Sequence, residues 1–329
     1  MLLLAALAAF AHTTVLAAES VAALQVRADG TYVDCTAGGG GHSALIAALL
    51  GPRGRLFAFD RDEIAVGVAT KRIAEALAHI PEDQRPTVEV IHAPFAELGA
   101  ELAARGVTVV HGILADLGVS SPQLDEPSRG FSFRHDGPLD MRMDPTCGPS
   151  AADLIAALSE TDLADVIYRY GDERDSRRIA RAIVARREAT PFTRTADLAG
   201  VIASAKGPIK RRKGGPTIHP ATKSFQALRI ATNGELDQLD ALLNQSLALL
   251  VSGGRLAVIT FHSGEDRPVK QTFASWAKGP ALPPAQAIFS SHGDPVVRLP
   301  HSKGLSPSAD ETRSNPRARS ARLRIAEKL

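Results

Sequence analysis

Three aspartates, each closing a β-prone run, are where this sequence could do chemistry. Asp34 ends Thr31-Tyr32-Val33, Asp60 ends Arg55-Leu-Phe-Ala-Phe59, and Asp116 ends Val109-Val-His-Gly-Ile-Leu-Ala115. After the first comes a cluster of glycines, Gly38 to Gly41, then His42 and a helical pattern from Ser43 to Leu50. Glycines take up φ > 0 without penalty and let a backbone approach a ligand closely. Strand, glycine turn and helix open a doubly wound α/β sheet, whose ligand lies at the carboxyl ends of the strands. Asp60 falls about twenty residues further on, where a carboxylate would grip a ribose hydroxyl.

Two cofactors fit these residues. Gly39-x-Gly41-x-x-Ala44 satisfies the dinucleotide pattern and points to a nicotinamide nucleotide. Against it, Asp34 at the start of the turn would repel a pyrophosphate. The same carboxylate suits the ammonium and sulfonium charges of S-adenosyl-L-methionine (SAM). SAM is the preferred reading.

The elements that must position these residues alternate in the expected way. Residues 12 to 24 read as a lead-in helix, and a helix from Glu63 to Leu77 follows Asp60. A third strand, Thr87 to His92, ends before Pro94-Phe95. Phe95 could stack on an adenine there or be an ordinary core aromatic. The acid-led loop Asp116-Leu-Gly-Val-Ser-Ser-Pro-Gln123 has the look of a functional loop after a buried strand. From Asp125 to Gly215 the rhythm stops, with a charged loop (Arg129 to Asp144) and then helices near 150–157, 162–168, 175–187 and 195–205. The expected organisation is a discontinuous sheet domain, 1–124 and 216–329, with an inserted helical domain at 125–215. The α/β pattern resumes at Ala221–Ala231, then a helix near 233–250 and a strand ending at Phe261-His262. Ser263-x-x-Asp266 reads as a capping box, and Ala321 to Ile325 as a final strand with a basic face.

Composition narrows the class. The 329 residues carry a net charge of +2, with 44% hydrophobic residues, as in an ordinary folded protein. Nucleic-acid affinity would have to come from local clusters. From Arg169 to Lys213 there are 13 Arg/Lys against 5 Asp/Glu, peaking at Lys210-Arg-Arg-Lys213, and Arg313 to Leu329 holds 6 against 1. Such clusters suit phosphate backbones. Two cysteines, Cys35 and Cys147, exclude a disulfide framework and fit a reducing compartment, so a cytoplasmic location is expected. The ten histidines show no metal-ligand spacing, so no metal is expected. The apolar start, Met1 to Ala11, lacks a basic flank and is too short to span a bilayer, so no membrane association is expected.

Several motifs resemble one family along nearly the whole chain. They include Asp34-x-Thr-x-Gly-x-Gly-Gly-His42, Asp116-Leu-Gly-Val-Ser-Ser-Pro-Gln-Leu124, Arg129-Gly-Phe-Ser-Phe133 and Gly137-Pro-Leu-Asp-Met-Arg-Met-Asp144. Tyr170-Gly-Asp-Glu173, His219-Pro-Ala-Thr222, Phe261-His-Ser263 and Asn315-Pro-Arg-Ala-Arg319 continue the series. Together they are similar to the bacterial 16S rRNA (cytosine-N4)-methyltransferases, the RsmH or MraW family. The resemblance implies a Rossmann-like SAM-dependent methyltransferase acting on one cytidine of the decoding centre in the small ribosomal subunit. It places the SAM site on Gly40, Gly41, His42, Asp60, Phe95, Asp116 and Gln123. Gly264, where the family carries a larger apolar residue, and Gly234, read at a helix start, depart from it.

For the chemistry, Asp116 is the expected acceptor beside the target amino group, with Asn233 and His262 as further catalytic candidates that also have structural readings. Alternatives are a methyltransferase with another substrate, a nicotinamide-dependent oxidoreductase, and a catalytically silent RNA-binding assembly factor. Oligomeric state, monomer or homodimer, stays open.

Overall fold

A computed structural model describes residues 14–207, 219–279 and 292–329. The leader before Thr14, the basic run 210–213, the expected boundary near 215 and part of the tail lie outside the described residues. The chain divides into two compact units, one formed by the residues up to Gly118 and from Leu236 onward, the other by Val119–Glu235.

The first unit is a seven-stranded sheet of order β3-β2-β1-β4-β5-β7-β6. Its strands are β1 (Thr31–Asp34), β2 (Arg55–Asp60), β3 (Thr87–His92), β4 (Val110–Asp116), β5 (Leu250–Thr260), β6 (Val297–Arg298) and β7 (Arg322–Lys328). β1 to β5 run parallel, and β7 pairs antiparallel with β5. The inner parallel strands are covered on both faces, which is why Leu56–Phe59, Ile113–Ala115 and Leu256–Ile259 are unbroken apolar runs, whereas the edge strand β3 is only partly buried. Adjacent residues point to opposite faces. Val33, Phe57, Ile113 and Val258 enter one core cluster with Leu98, Leu102, Leu242 and Phe273. Tyr32, Leu56, Leu114 and Ile259 enter the other with Leu24, Ile46 and Ile73. The first face is lined by α4 (Leu98–Ala104), α11 (Glu235–Leu249) and α12 (Ser263–Lys278). The second is lined by α1 (Ala17–Leu24), α2 (Gly41–Ala47) and α3 (Glu63–Leu77). Each fully buried Leu or Ile there contributes about 1.5–3 kcal/mol.

The second unit is helical: α5 (Ser121–Asp125), α6 (Ala151–Ala157), α7 (Glu160–Gly171), α8 (Ser176–Ala189), α9 (Thr195–Lys206) and α10 (Thr222–Asn233). Ser150 and Ser159 cap α6 and α7 by accepting from Asp153 N and Asp162 N. Ile155, Leu163, Ile167, Ile179, Ile183, Leu198, Ile202, Phe225 and Leu228 close its core. No named strand lies within it among the described residues. No helix among the described residues is long and apolar enough to cross a membrane.

Several sequence expectations change here. The segment at 221–231, read as the α/β pattern resuming, is α10 of the helical unit, because Phe225 and Leu228 face its core. Gly234 does not open a helix; it closes α10 with φ +58°. A left-handed C-cap favours glycine, so this residue is an asset rather than a cost. The capping box at Ser263 is also absent. His262 is the N-cap of α12 without a side-chain cap bond, and Asp266 instead pairs with Arg324 on β7, at 2.7 and 2.8 Å. That pairing removes half of the expected basic face, since Arg324 is buried and neutralised.

Candidate active site

The acids at the strand ends converge because the register makes them converge. Asp34 lies opposite Leu114 of β4 and Ala58 of β2, and Asp116 lies opposite Ile259. Loop bonds then extend the sheet beyond its strands: Cys35 N donates to Leu114 O at 2.8 Å, Ala37 N to Phe59 O at 2.7 Å, and Leu117 N to Ile259 O at 3.0 Å. Thr36 ties two of the acids together. Its hydroxyl accepts from Asp116 N at 2.7 Å, and its own N–H donates to Asp34 Oδ1 at 3.1 Å.

Asp34 is fully buried. Its Oδ2 accepts from Ser43 Oγ at 2.6 Å, and its Oδ1 is used by Thr36. The direct contact with a cationic ligand expected of it is therefore replaced by an internal role, pinning the glycine turn and the start of α2. Burial raises its pKa, opposed by those hydrogen bonds.

The glycines divide by task. Gly38 has φ +49°, and its N–H donates to Asp60 Oδ2 at 2.7 Å. Gly40 has φ +76°, and a Cβ there would lie 2.9 Å from Ala69 Cα of α3. A Cβ on Gly41 would collide with the Thr14 side chain. Close packing against α3 and the N-terminal segment, not ligand approach alone, thus requires glycine at the last two. Arg72 of α3 donates to Gly39 O at 3.1 Å and holds the turn from outside. No signal in the sequence marked Arg72, and Thr36 was visible only as part of the quoted motif.

Asp60 accepts from Gly38 N and, at 2.9 Å, from Asp62 N. Burial lifts its pKa to about 6, against those two bonds. Each of its oxygens keeps a second lone pair for a hydroxyl. Phe95, in the short helical turn after β3, is half-buried and packs in part against the core cluster.

His42 is buried, with Nε2 3.1 Å from Val15 O and Nδ1 3.8 Å from Asp116 Oδ2. A carbonyl only accepts, so the ring carries its proton on Nε2 and turns a lone pair toward Asp116. Burial lowers the His42 pKa to about 4. About a quarter of the Asp116 side chain is exposed, 23%. Its Oδ1 is nevertheless buried and without a hydrogen-bond partner among the described residues. Burial first, then the Asp34 and Glu265 carboxylates, hold its carboxyl well above the ordinary range. His262 sits nearby in sequence terms after β5, its Nε2 3.0 Å from Glu265 Oε1, while Glu265 Oε2 accepts from Phe261 N at 2.7 Å.

The donor set fits SAM. A buried carboxylate oxygen lacking a partner is costly, and what it lacks is a cation or an N–H. No metal-binding group of acids, histidines and cysteines occurs among the described residues.

Two expected site residues belong to the helical unit. Gln123 forms a capping box with Ser120, its Oε1 accepting from Ser120 N at 3.0 Å. Asn233 is buried; its amide donates to Met141 O at 2.7 Å and Arg229 O at 2.9 Å, and accepts from Met143 N at 2.8 Å. It latches a loop in which Met141 has φ +62°, which leaves a structural role rather than the expected catalytic one. The basic excess is also thinner than the count suggests. Arg186 pairs with Asp197, Arg194 with Asp136 and Lys206 with Glu173, while Arg187 donates to Ile155 O. Arg169, Arg174 and Arg177 stay exposed with no ion pair among the described residues, and Tyr168 beside them is 56% exposed.

Comparison with known proteins places the chain. The profile of the MraW methylase family matches residues 9–329. Ribosomal RNA small subunit methyltransferase H of Chromobacterium violaceum is 48% identical over 320 residues, 97% of this chain and 95% of that protein. An rRNA methylase from Streptococcus thermophilus aligns structurally with a TM-score of 0.43 at 12% identity, over 98% of this chain and 99% of its own. The nicotinamide reading of Gly39-x-Gly41-x-x-Ala44 is thereby set aside. The sheet is a Rossmann-like methyltransferase sheet, its methyl donor is SAM, and the chain belongs to the MraW methylase family.

Proposed function

We propose that the chain methylates the N4 amino group of one cytidine in the decoding centre of 16S rRNA, in the small ribosomal subunit and in the cytoplasm. The observation that carries the substrate is the 48% identity, along nearly the whole of both chains, to a protein named for small-subunit rRNA methylation. When bound, SAM supplies an electrophilic methyl group on a sulfonium. Gly38, Gly40, Gly41 and His42 would shape its turn, Asp60 would take its ribose hydroxyls, and Phe95 would wall its adenine.

The amino nitrogen of cytosine is a weak nucleophile because its lone pair is delocalised into the ring. Asp116 Oδ1, buried and without a donor among the described residues, would accept its N–H and localise that pair. The raised pKa of Asp116 makes it the stronger base for the departing proton. Much of the barrier then falls through positioning. Direct transfer to nitrogen needs no cysteine nucleophile, and the Cys35 thiol beside Asp34 is buried and pushed well above its ordinary value. His262 would support the Phe261 turn through Glu265. The target base must leave its stack, which a single-stranded loop makes cheap. Arg169, Arg174 and Arg177 would hold RNA phosphates, with Tyr168 exposed to stack on a base.

The test is nucleoside mass spectrometry of 16S rRNA from a deletion strain. N4-methylated cytidine should disappear, return with the wild-type chain, and stay absent with Asp116→Ala, whose fold circular dichroism would check. Persistence of the modified cytidine in the deletion strain would overturn the assignment.

A further inference from the structure

The side chain of His42 has no part in the chemistry so far. Its ring is buried, its Nε2–H is committed to Val15 O at 3.1 Å, and its Nδ1 faces Asp116 Oδ2 at 3.8 Å. Two acceptors therefore face each other across a gap too long for a hydrogen bond. Such a pair repels until one of them gains a proton.

We propose that His42 is a positioning residue for the proton released in methyl transfer: its Nδ1 lone pair, aimed by the bond to Val15, receives the O–H of Asp116 once that carboxylate has been protonated. This rests on the reaction proposed above. In that step the amino nitrogen's electron pair forms the new N–CH3 bond. The S–CH3 pair stays on sulfur, and the nitrogen's proton passes to Asp116. The proton then remains on Asp116 rather than crossing to the ring. Burial favours the neutral acid and neutral imidazole over an ion pair, as the opposite shifts of the two groups indicate. The charged groups around the pair are Asp34 on β1, Glu265 on α12 and Arg72 on α3. The N-terminal segment is what sets the tautomer. Thr14 fills the space left by the missing Cβ of Gly41, and Leu16 N donates to Glu311 Oε1 at 2.7 Å, so the Val15 carbonyl is held in place.

Two substitutions separate the ring's two nitrogens. His42→Gln keeps a donor near Val15 O and removes the acceptor beside Asp116. His42→Asn keeps an acceptor at the Nδ1 position and gives up the Val15 bond. For His42→Gln, kcat should fall about tenfold or more while KM for RNA stays within about twofold, and the acid limb of the kcat profile should move to lower pH. His42→Asn should recover most of that kcat and keep the acid limb in place. A ligand-free readout stands beside these. Nitrogen NMR of the wild type should show Nε2 protonated and Nδ1 bare, and carbon NMR of Asp116 should show its titration moving down in His42→Gln. A wild-type Nδ1–H tautomer, or a His42→Gln variant with unchanged Asp116 titration and acid limb, would overturn the proposal. Loss of kcat without any pH movement would reduce His42 to packing and overturn it too. Because the NMR experiments need no RNA, they fail or succeed independently of the cytidine assignment.

Discussion

Asp60 and His42 are displaced in opposite senses, and their effects on stability should therefore oppose each other. Asp60 is raised from 3.8 to about 6, so between those values the folded state binds more protons than the unfolded state. Stability must then fall as pH rises through that window. His42 is lowered from 6.5 to about 4, so the unfolded state binds more protons there, and stability rises with pH until it is complete above 6.5. At about 1.4 kcal/mol per pKa unit, the His42 contribution is about 3 kcal/mol. That of Asp60, reduced for its partial exposure, is about 2 kcal/mol. Urea unfolding of wild type, Asp60→Asn and His42→Gln between pH 4 and 7 isolates each as a difference curve. The advantage of Asp60→Asn over wild type should grow by about 2 kcal/mol from pH 4 to 6. The disadvantage of His42→Gln should grow by about 3 kcal/mol from pH 4 to 6.5. A pH-independent Asp60→Asn difference, or one of the opposite sign, would refute the claim that Asp60 is held against its charge by burial.

Gly234→Ala should cost about 1 kcal/mol because its φ of +58° is left-handed. Gly67→Ala, inside α3 with nothing within 4 Å of the added Cβ, should gain about 0.5–1 kcal/mol; thermal unfolding of the pair checks both signs. Reversing Arg174 and Arg177 together to Glu should weaken RNA binding and flatten its salt dependence without changing SAM binding. Fluorescence anisotropy at several salt concentrations would show it, and an unchanged slope would remove these residues from the interface. Asn233→Ala breaks the hydrogen bonds to Met141 O, Met143 N and Arg229 O, and should destabilise the helical unit by about 2 kcal/mol or more. An activity loss with unchanged unfolding would restore the catalytic reading of this residue.

What the sequence made legible, and what it hid, divide along a physical line. The inner parallel strands were readable because a strand covered on both faces must be apolar throughout, and the acids that end them stand out for the same reason. The helices of the inserted unit were readable where the alternation of strand and helix patterns stops, and their expected ranges near 150–157, 162–168, 175–187 and 195–205 overlap those observed. Side-chain direction was not. Asp34 and Asp60 look equivalent as acids ending strands, yet one is sealed behind the turn by Ser43 and Thr36 and the other keeps partial exposure. Nor was long-range pairing readable. Asp266 looked like a helix cap because its partner, Arg324, lies 58 residues away in sequence on an antiparallel strand. Gly234 was misread through a shift of one residue at a helix boundary, which turns a costly interior glycine into a favourable cap. The same limit governs His42. Its type and place in the motif were plain, but only the positions of Val15 O and Asp116 Oδ2 on either side of the ring decide which nitrogen holds the proton. The role proposed for His42 therefore rests on a main-chain carbonyl that no residue-type pattern could have marked.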